Sequence, residues 1–228
     1  ERLRDETSRR RVLTEVSRAI QNERGGGDPA NVVLASCSWD PSLAGKSLAQ
    51  VLKDRGRPVA IDQAADLVVE IVQKGGGSAV YHAISEEDLV RIMKHPATMI
   101  ASDAGEPIFG VAVPHPRAYG TFARVLGVYV REKGVLTLED AVRKMTSFPA
   151  RRTGLQDRGI LRAGMKADVV VFNPATIKDT ATFEKPHQYA EGVSVVIVNG
   201  RVTLSEGNLT GERAGLVRPR VDGRRALA

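Results

Sequence analysis

An aspartate that directly follows a short apolar run is the first candidate for chemistry in this sequence. Residues 98–101 read TMIA, which predicts a short buried strand, and Asp103 comes just after it. Active sites of barrels and open α/β sheets collect at the carboxyl ends of the strands. A carboxylate at that place can act as a general base or as a metal ligand. A turn or helix-capping aspartate is the competing interpretation of the same pattern.

A proline-rich loop follows Asp103 and contains His115 and Arg117. Prolines stiffen a loop, and a stiff loop suits side chains that position a ligand. The forked guanidinium of Arg117 could bind a carboxylate, although a rigid surface loop with an exposed arginine fits the pattern too. Tyr119 opens the next predicted helix. The remaining histidines and the single cysteine favour structural roles: His82, His95, His187 and Cys37.

Several catalytic patterns are missing from the sequence. It contains no His-x-His or His-Glu-x-x-His pair for zinc, no Gly-x-Ser-x-Gly nucleophile elbow, and no Gly-x-x-x-x-Gly-Lys-Ser/Thr phosphate loop. The sequence alone therefore assembles no three-ligand zinc site, and we assign no metal ligand to it.

The elements around Asp103 alternate between strand and helix. A strand is predicted over 78–84, a helix from Ser85 to Lys94 and a strand over 98–101, an order typical of a parallel α/β fold. Further helices are predicted over 2–22, 47–53, 61–72, 119–132 and from 137 to Pro149. Strands are predicted over 32–35, 167–172, 193–198 and 201–204, with Asn199-Gly200 as a type I′ hairpin turn.

Composition excludes several classes of function. The net charge of +6 comes mostly from the two ends of the chain, and aromatic residues make up only 4%, so a nucleic-acid interface is not expected. No run of about 18 apolar residues exists, so no membrane partner is expected either. One cysteine in 228 residues and a charged first segment favour a reducing, cytoplasmic location.

The run over 136–174 carries a family resemblance. It reads LTLEDAVRKMTSFPARRTGLQDRGILRAGMKADVVVFNP and resembles the C-terminal signature of the amidohydrolase superfamily of metal-dependent (β/α)8-barrel hydrolases. In that signature a helix ends in T-S-x-P-A, a G-L-x-D-R-G turn follows, and G-x-x-A-D leads into a small β-sandwich. A later V-N-G is matched by residues 198–200.

A narrower resemblance points to the N-acyl-D-amino-acid deacylases, or D-aminoacylases. It lies in Ser102-Asp103 and in HPRAYGTFARVL over 115–126. The resemblance implies that Asp103 takes a proton from a metal-bound water and delivers it to the leaving amine. It implies that Arg117 binds the substrate carboxylate, while His115 and Tyr119 shape the loop.

The resemblance also implies an architecture. We expect an α/β chain that is the C-terminal part of a metal-dependent (β/α)8 barrel followed by part of a small β-sandwich. Residues 1–155 would belong to the barrel, with 24–84 as a capping insert, and 156–228 to the sandwich and a basic tail. The ligands of the zinc cofactor would lie upstream, in the missing N-terminal half of the same protein, so this chain alone should be inactive.

The implied reaction is hydrolysis of a small N-acyl-D-amino acid. Two alternatives stay open at the level of sequence. One is a different amidohydrolase, similar to the dihydroorotases or hydantoinases. The other is a non-catalytic binding domain built on a barrel that has lost its metal site.

Overall fold

A computed structural model describes residues 5–216, which divide into two units. The first unit contains residues 5–86, 105–116 and 182–187. The second contains residues 87–104, 117–181 and 188–216. Most of the basic tail expected at the end of the chain lies outside the described residues.

The first unit combines three helices with a two-stranded sheet. Its elements are α1 (Glu6–Ala19), continued by a π-helical turn (Ile20–Arg24), short 3-10 turns (Pro29–Asn31 and Pro41–Leu43), β1 (Val32–Ser36), α2 (Leu48–Asp54), α3 (Ile61–Gln73) and β2 (Ser78–Tyr81). β1 and β2 pair antiparallel, with Val33 opposite Val80. Over residues 5–86 the predicted helices and strands are confirmed, although β2 ends at Tyr81 rather than at Ile84. Residues 2–4 of the first predicted helix lie outside the described residues.

The core of the first unit is formed by aliphatic side chains from α2, α3 and β1. Leu48, Leu52 and Leu67 have no exposed surface, and Leu34 is almost completely buried. Their spacing along α2 and α3 places them on one face of each helix, as an amphipathic pattern requires.

The second unit carries helices first and a sheet afterwards. Its elements are α4 (Glu86–Lys94), which starts at the unit boundary, α5 (Arg117–Arg124), continued as a π-helix (Val125–Glu132), α6 (Leu138–Met145), α7 (Ser147–Arg152), β3 (Val169–Phe172), β4 (Val193–Val198), β5 (Arg201–Ser205) and β6 (Asn208–Leu209). The sheet order is β3-β4-β5-β6, with every pair antiparallel. Asn199 and Gly200 both have positive φ, 49° and 81°, which confirms the predicted type I′ turn.

Three local predictions are wrong. Residues 98–101 form no strand, and within residues 5–216 both sheets are antiparallel, so the parallel pairing expected from the element order is absent there. A strand exists only where a second strand pairs with it, whereas the Ile100 N–H donates to the carbonyl of Lys144 at 3.1 Å. The helix expected to end at Pro149 ends at Met145, and Pro149 lies in the first turn of α7, where proline is tolerated.

Close packing on α5 and its π-helical continuation requires glycine. A Cβ added to Gly120 would lie 2.7 Å from the Asp179 Cβ, and one on Gly127 would lie 2.8 Å from the Ile177 carbonyl oxygen. Arg124 reinforces the approach by donating to the Asp179 carboxylate at 3.0 Å. The helix that begins at Arg117 is therefore fixed against the segment that precedes β4.

No helix among residues 5–216 combines the length and the apolar character needed to cross a membrane.

Candidate active site

Asp103 and Arg117 lie together in the second unit. An Arg117 guanidinium nitrogen is 3.1 Å from an Asp103 carboxylate oxygen, and the Asp103 side chain is 88% exposed. Asp103 has a φ of 48°, in the left-handed region that non-glycine residues rarely adopt and that costs roughly 1 kcal/mol or more. Backbone strain of this kind persists where the surrounding structure imposes it. The sequence predicted Asp103 as a general base and Arg117 as the residue that binds the substrate carboxylate. These two residues form one ion pair.

Arg117 is the first residue of α5, and the helix fixes its backbone. The Thr121 hydroxyl donates to the Arg117 carbonyl at 2.8 Å, one turn further along. The segment that leads to Asp103 is held differently, because it belongs to no helix or strand. Its backbone is fixed by hydrogen bonds from α6.

Tyr119 faces a second tyrosine across the same unit. The Tyr119 and Tyr189 rings meet edge to face, with centroids 5.7 Å apart. Desolvation, together with the neighbouring Tyr189, raises the pKa of Tyr119 above its ordinary value, so its hydroxyl stays protonated at neutral pH. Thr180 fixes the partner by donating to the Tyr189 carbonyl at 2.7 Å.

An open cavity of about 260 Å³ lies along α5. Ser102, Arg117 and Tyr119 contribute to its lining, and most of the remaining lining side chains are apolar, Phe122 and Phe172 among them. Ligand sites typically combine apolar walls with a few placed polar groups. A molecule with an apolar body and a carboxylate matches this lining.

His115 belongs to the first unit, in the loop over 105–116. Its ring lies edge-on to Phe183, with centroids 5.0 Å apart, and Phe183 also contacts His82 at 4.4 Å. His187 holds the same loop through a 3.0 Å hydrogen bond between Nε2 and the Ala112 carbonyl. Two histidines that the sequence suggested were structural therefore form ring or backbone contacts around this loop.

The described residues do not by themselves fit a metal centre. Across residues 5–216, no group of three or more His, Cys, Asp or Glu side chains is arranged to hold a metal ion. Asp103, the one candidate ligand at the site, is paired with Arg117.

Sequence reasoning missed a buried lysine behind the site. Lys144, on α6, has no exposed surface, and its ammonium donates to the carbonyls of His95 at 2.5 Å and Thr98 at 3.1 Å. The signal for it was spacing: Lys144 lies three residues after the fully buried Ala141, on the face that the apolar stripe defines.

A second polar cluster joins three chain segments that carry the family resemblance. Arg158, from the G-L-x-D-R-G turn, donates to the Asp168 carboxylate and to the Asn199 side-chain oxygen, the latter at 2.6 Å. The Asn199 backbone N–H donates to the same Asp168 carboxylate at 2.8 Å. The turn, the start of β3 and the hairpin of β4 and β5 are therefore fixed to one another by these three residues.

The order of these parts defines a class of protein. An aspartate segment, an arginine-bearing helix, the T-S-x-P-A segment and a small sheet follow one another as in the C-terminal part of a (β/α)8-barrel hydrolase with its sandwich. The model of the amidohydrolase family matches residues 4–204. The chain belongs to the amidohydrolase family.

Individual relatives narrow the similarity. The chain is 44% identical over 185 residues to the D-aminoacylase of Alcaligenes xylosoxydans xylosoxydans. The aligned region covers 81% of this chain and 36% of that protein. A solved structure of D-aminoacylase, described for its binuclear metal center, is 33% identical, with a TM-score of 0.72, over 90% of this chain and 45% of that one. A solved N-acyl-D-glutamate deacylase from Bordetella bronchiseptica, complexed with zinc and a phosphonate inhibitor, gives 33% identity and a TM-score of 0.69, over 85% and 38% of the two chains.

These matches confirm the expected fold class, part of an amidohydrolase barrel followed by part of a small β-sandwich. The chain spans less than half the length of each of these relatives.

Proposed function

We propose that the complete protein carrying this chain hydrolyses the amide bond of N-acyl-D-amino acids. The observation that carries the proposal is the pairing of Asp103 with Arg117 at 3.1 Å. Both residues lie in motifs that resemble the deacylases, and the similarity to D-aminoacylase extends over most of the chain.

Arg117 would bind the α-carboxylate of the substrate. Its partner Asp103 is 88% exposed and Arg117 is 43% exposed, and an exposed ion pair contributes at most about 1 kcal/mol. A substrate carboxylate, which presents two oxygens to the guanidinium fork, can therefore replace Asp103 as the partner of Arg117. The apolar lining along α5 would contact the rest of the molecule.

Asp103 would then be free to move a proton. As a carboxylate it would accept a proton from the attacking water, while the water oxygen bonds to the amide carbon. The same group would deliver that proton to the amide nitrogen as the C–N bond breaks, which releases the amine of the D-amino acid. The protonated Tyr119 would complete the surroundings of this reaction within the second unit, and His115 would shape the loop that leads to Arg117.

Zinc is part of the proposal for the complete protein only. The solved deacylase from Bordetella bronchiseptica is complexed with zinc. The zinc ligands would lie upstream, in the N-terminal half of the same protein. The chain alone should accordingly hydrolyse no N-acyl-D-amino acid.

The architecture proposed from the resemblance goes with this function. Residues 1–155 would complete a barrel together with an upstream half, 24–84 would cap its mouth, and 156–228 would form part of the sandwich and a basic tail. We also propose a cytoplasmic location.

The test is the substitution Asp103→Asn in the complete protein. We expect kcat for an N-acetyl-D-amino acid to fall by about 10²- to 10⁴-fold, the range for loss of a general acid–base group. Arg117→Met should instead raise KM, since it removes binding of the carboxylate. The matched control is Glu106→Gln, which neutralises an exposed carboxylate nearby and should leave kcat unchanged. A kcat for Asp103→Asn close to that of the parent would contradict the proposal.

A further inference from the structure

Asp103 lies at the end of a segment that α6 holds by its backbone. Residues 95–104 contain no helix or strand. Lys144 Nζ donates to the carbonyls of His95 and Thr98, and the Lys144 carbonyl accepts from the Ile100 N–H. The side chain and the backbone carbonyl of Lys144 thus hold three residues of the segment. The last of them, Ile100, lies three residues before Asp103.

The neighbour of Lys144 strengthens the same contact. Arg143 donates to the Pro96 carbonyl at 3.1 Å and to the Asp140 carboxylate at 2.9 Å. Asp140 also lies 4.0 Å from the Lys144 ammonium. Two cations at the end of α6 therefore bind consecutive carbonyls just beyond the C-terminus of α4, where the negative end of the helix dipole favours positive charge.

The burial of Lys144 is not explained by packing alone. Packing alone favours an apolar side chain at a fully buried position, because burying an ammonium costs free energy unless its hydrogen bonds are made. A fully buried ammonium is retained at low cost only because carbonyl oxygens surround it. The hydrogen bonds from the Lys144 ammonium define the path of the backbone at His95 and Thr98.

We propose that Lys144 is a positioning residue for Asp103. By holding the His95 and Thr98 carbonyls it sets the path of the segment that brings Asp103, with its left-handed backbone, to Arg117. The inference rests on the proposed function, in which Asp103 moves the proton. Lys144 itself touches no reacting atom.

The first test compares Lys144→Met with Val125→Ala in the complete protein. Val125 is a buried aliphatic residue of the same core, so its truncation lowers stability without removing any hydrogen bond that holds residues 95–104. We expect Lys144→Met to lower kcat by about ten- to a hundred-fold, as a small misplacement of a catalytic group does. KM should stay within about twofold, because Arg117 is held by α5. Val125→Ala should change the unfolding temperature but not kcat.

A double-mutant cycle shows whether Lys144 acts through Asp103. In the Asp103→Asn background, Lys144→Met should lower the residual kcat by less than about twofold, because the group it positions is gone. An equal further loss in both backgrounds would overturn the inference. If Asp103→Asn alone leaves kcat unchanged, the proposed function fails instead.

Hydrogen exchange supplies a readout that needs no activity. In Lys144→Met the amides of residues 98–103 should exchange at least about tenfold faster, while those of α5 do not change. Arg143→Met, which alters a partly exposed side chain and spares the buried core, should give a smaller acceleration over residues 95–98. Unchanged exchange over residues 95–103 in both variants would overturn the proposed role.

Discussion

The core of the first unit and the motif segments of the second unit are stabilised by different interactions. In the first unit, α2 and α3 bury leucines with no exposed surface, and charged side chains stay at the periphery. In the second, the segment before Asp103 and the turn before β3 are held by the cations Lys144 and Arg158, which bind carbonyls, a carboxylate and a side-chain amide oxygen.

Apolar burial and hydrogen bonds from a cation contribute two different properties to the fold. Burial of apolar surface stabilises without direction, so it fixes which faces meet but leaves the backbone path less defined. Hydrogen bonds from a buried cation are directional and reach chosen backbone atoms. The segment that carries the proposed catalytic aspartate is fixed by the second kind of contact.

The largest effect should come from truncating the apolar core. Leu67→Ala removes a side chain with no exposed surface, and we expect the free energy of unfolding of the first unit to fall by about 3 kcal/mol. Trp39 is the only tryptophan and packs against this core, so its fluorescence during urea unfolding measures the change. Val72→Ala, on the exposed side of α3, should cost only about 0.5 kcal/mol. Equal losses in the two variants would show that burial does not govern this region.

Sequence reasoning was accurate where apolar spacing and turn chemistry decide the structure. The helices α2 and α3 follow from their apolar faces, and in α3 that face buries Leu67 and Ile71 while Val72 is 57% exposed. The hairpin follows from Asn199-Gly200, because few residues tolerate the positive φ of both positions.

Sequence reasoning failed where the partner lies far along the chain. The spacing on α6 places Lys144 on the apolar face, but its carbonyl acceptors are 49 and 46 residues away, so no local pattern shows what compensates its charge, and lysine is normally exposed. The absent strand over 98–101 has the same origin, since pairing depends on a neighbour strand and not on the apolar run itself. For the site, the residue types Asp103 and Arg117 were predicted, but their ion pair was not.

An intermediate effect is expected from the polar cluster of Arg158. Arg158→Met leaves the Asp168 carboxylate without the guanidinium, and we expect a loss of about 2 kcal/mol, less than for a fully buried pair because Asp168 is partly exposed. Hydrogen exchange of the amides in the β4–β5 hairpin measures this loss of stability, since the Asn199 side chain also loses its hydrogen bond from Arg158. Arg152→Met, an exposed arginine of α7, serves as the control and should change nothing measurable. Protection of the hairpin equal to that of the parent would mean that the cluster is not what fixes it.

The smallest effect should come from an ion-pair network at the periphery of the apolar region. Glu70 accepts from Lys74 at 2.8 Å and from Arg55 at 3.0 Å. The hydrogen bond from Lys74 lowers the pKa of Glu70, and the charge of Arg55 lowers it further, against the opposing effect of burial. The folded carboxyl therefore has a lower pKa than the unfolded one, and its stabilisation is complete above the unfolded value of 4.5 and lost as the pH falls through the folded value.

Glu70→Gln tests that contribution through its dependence on pH. At pH 7 we expect the variant to lose about 0.5 to 1 kcal/mol, because the network is one-third exposed and screened by solvent. At pH 3 the parent and the variant should unfold at nearly the same urea concentration, as followed by Trp39 fluorescence. Glu106→Gln, which neutralises an exposed carboxylate of the first unit outside any helix or strand, is the control and should leave the urea midpoint at pH 7 nearly unchanged. A loss for Glu70→Gln as large as that of Leu67→Ala would mean that this region, too, depends on directional charge contacts, and the contrast between the two units would disappear.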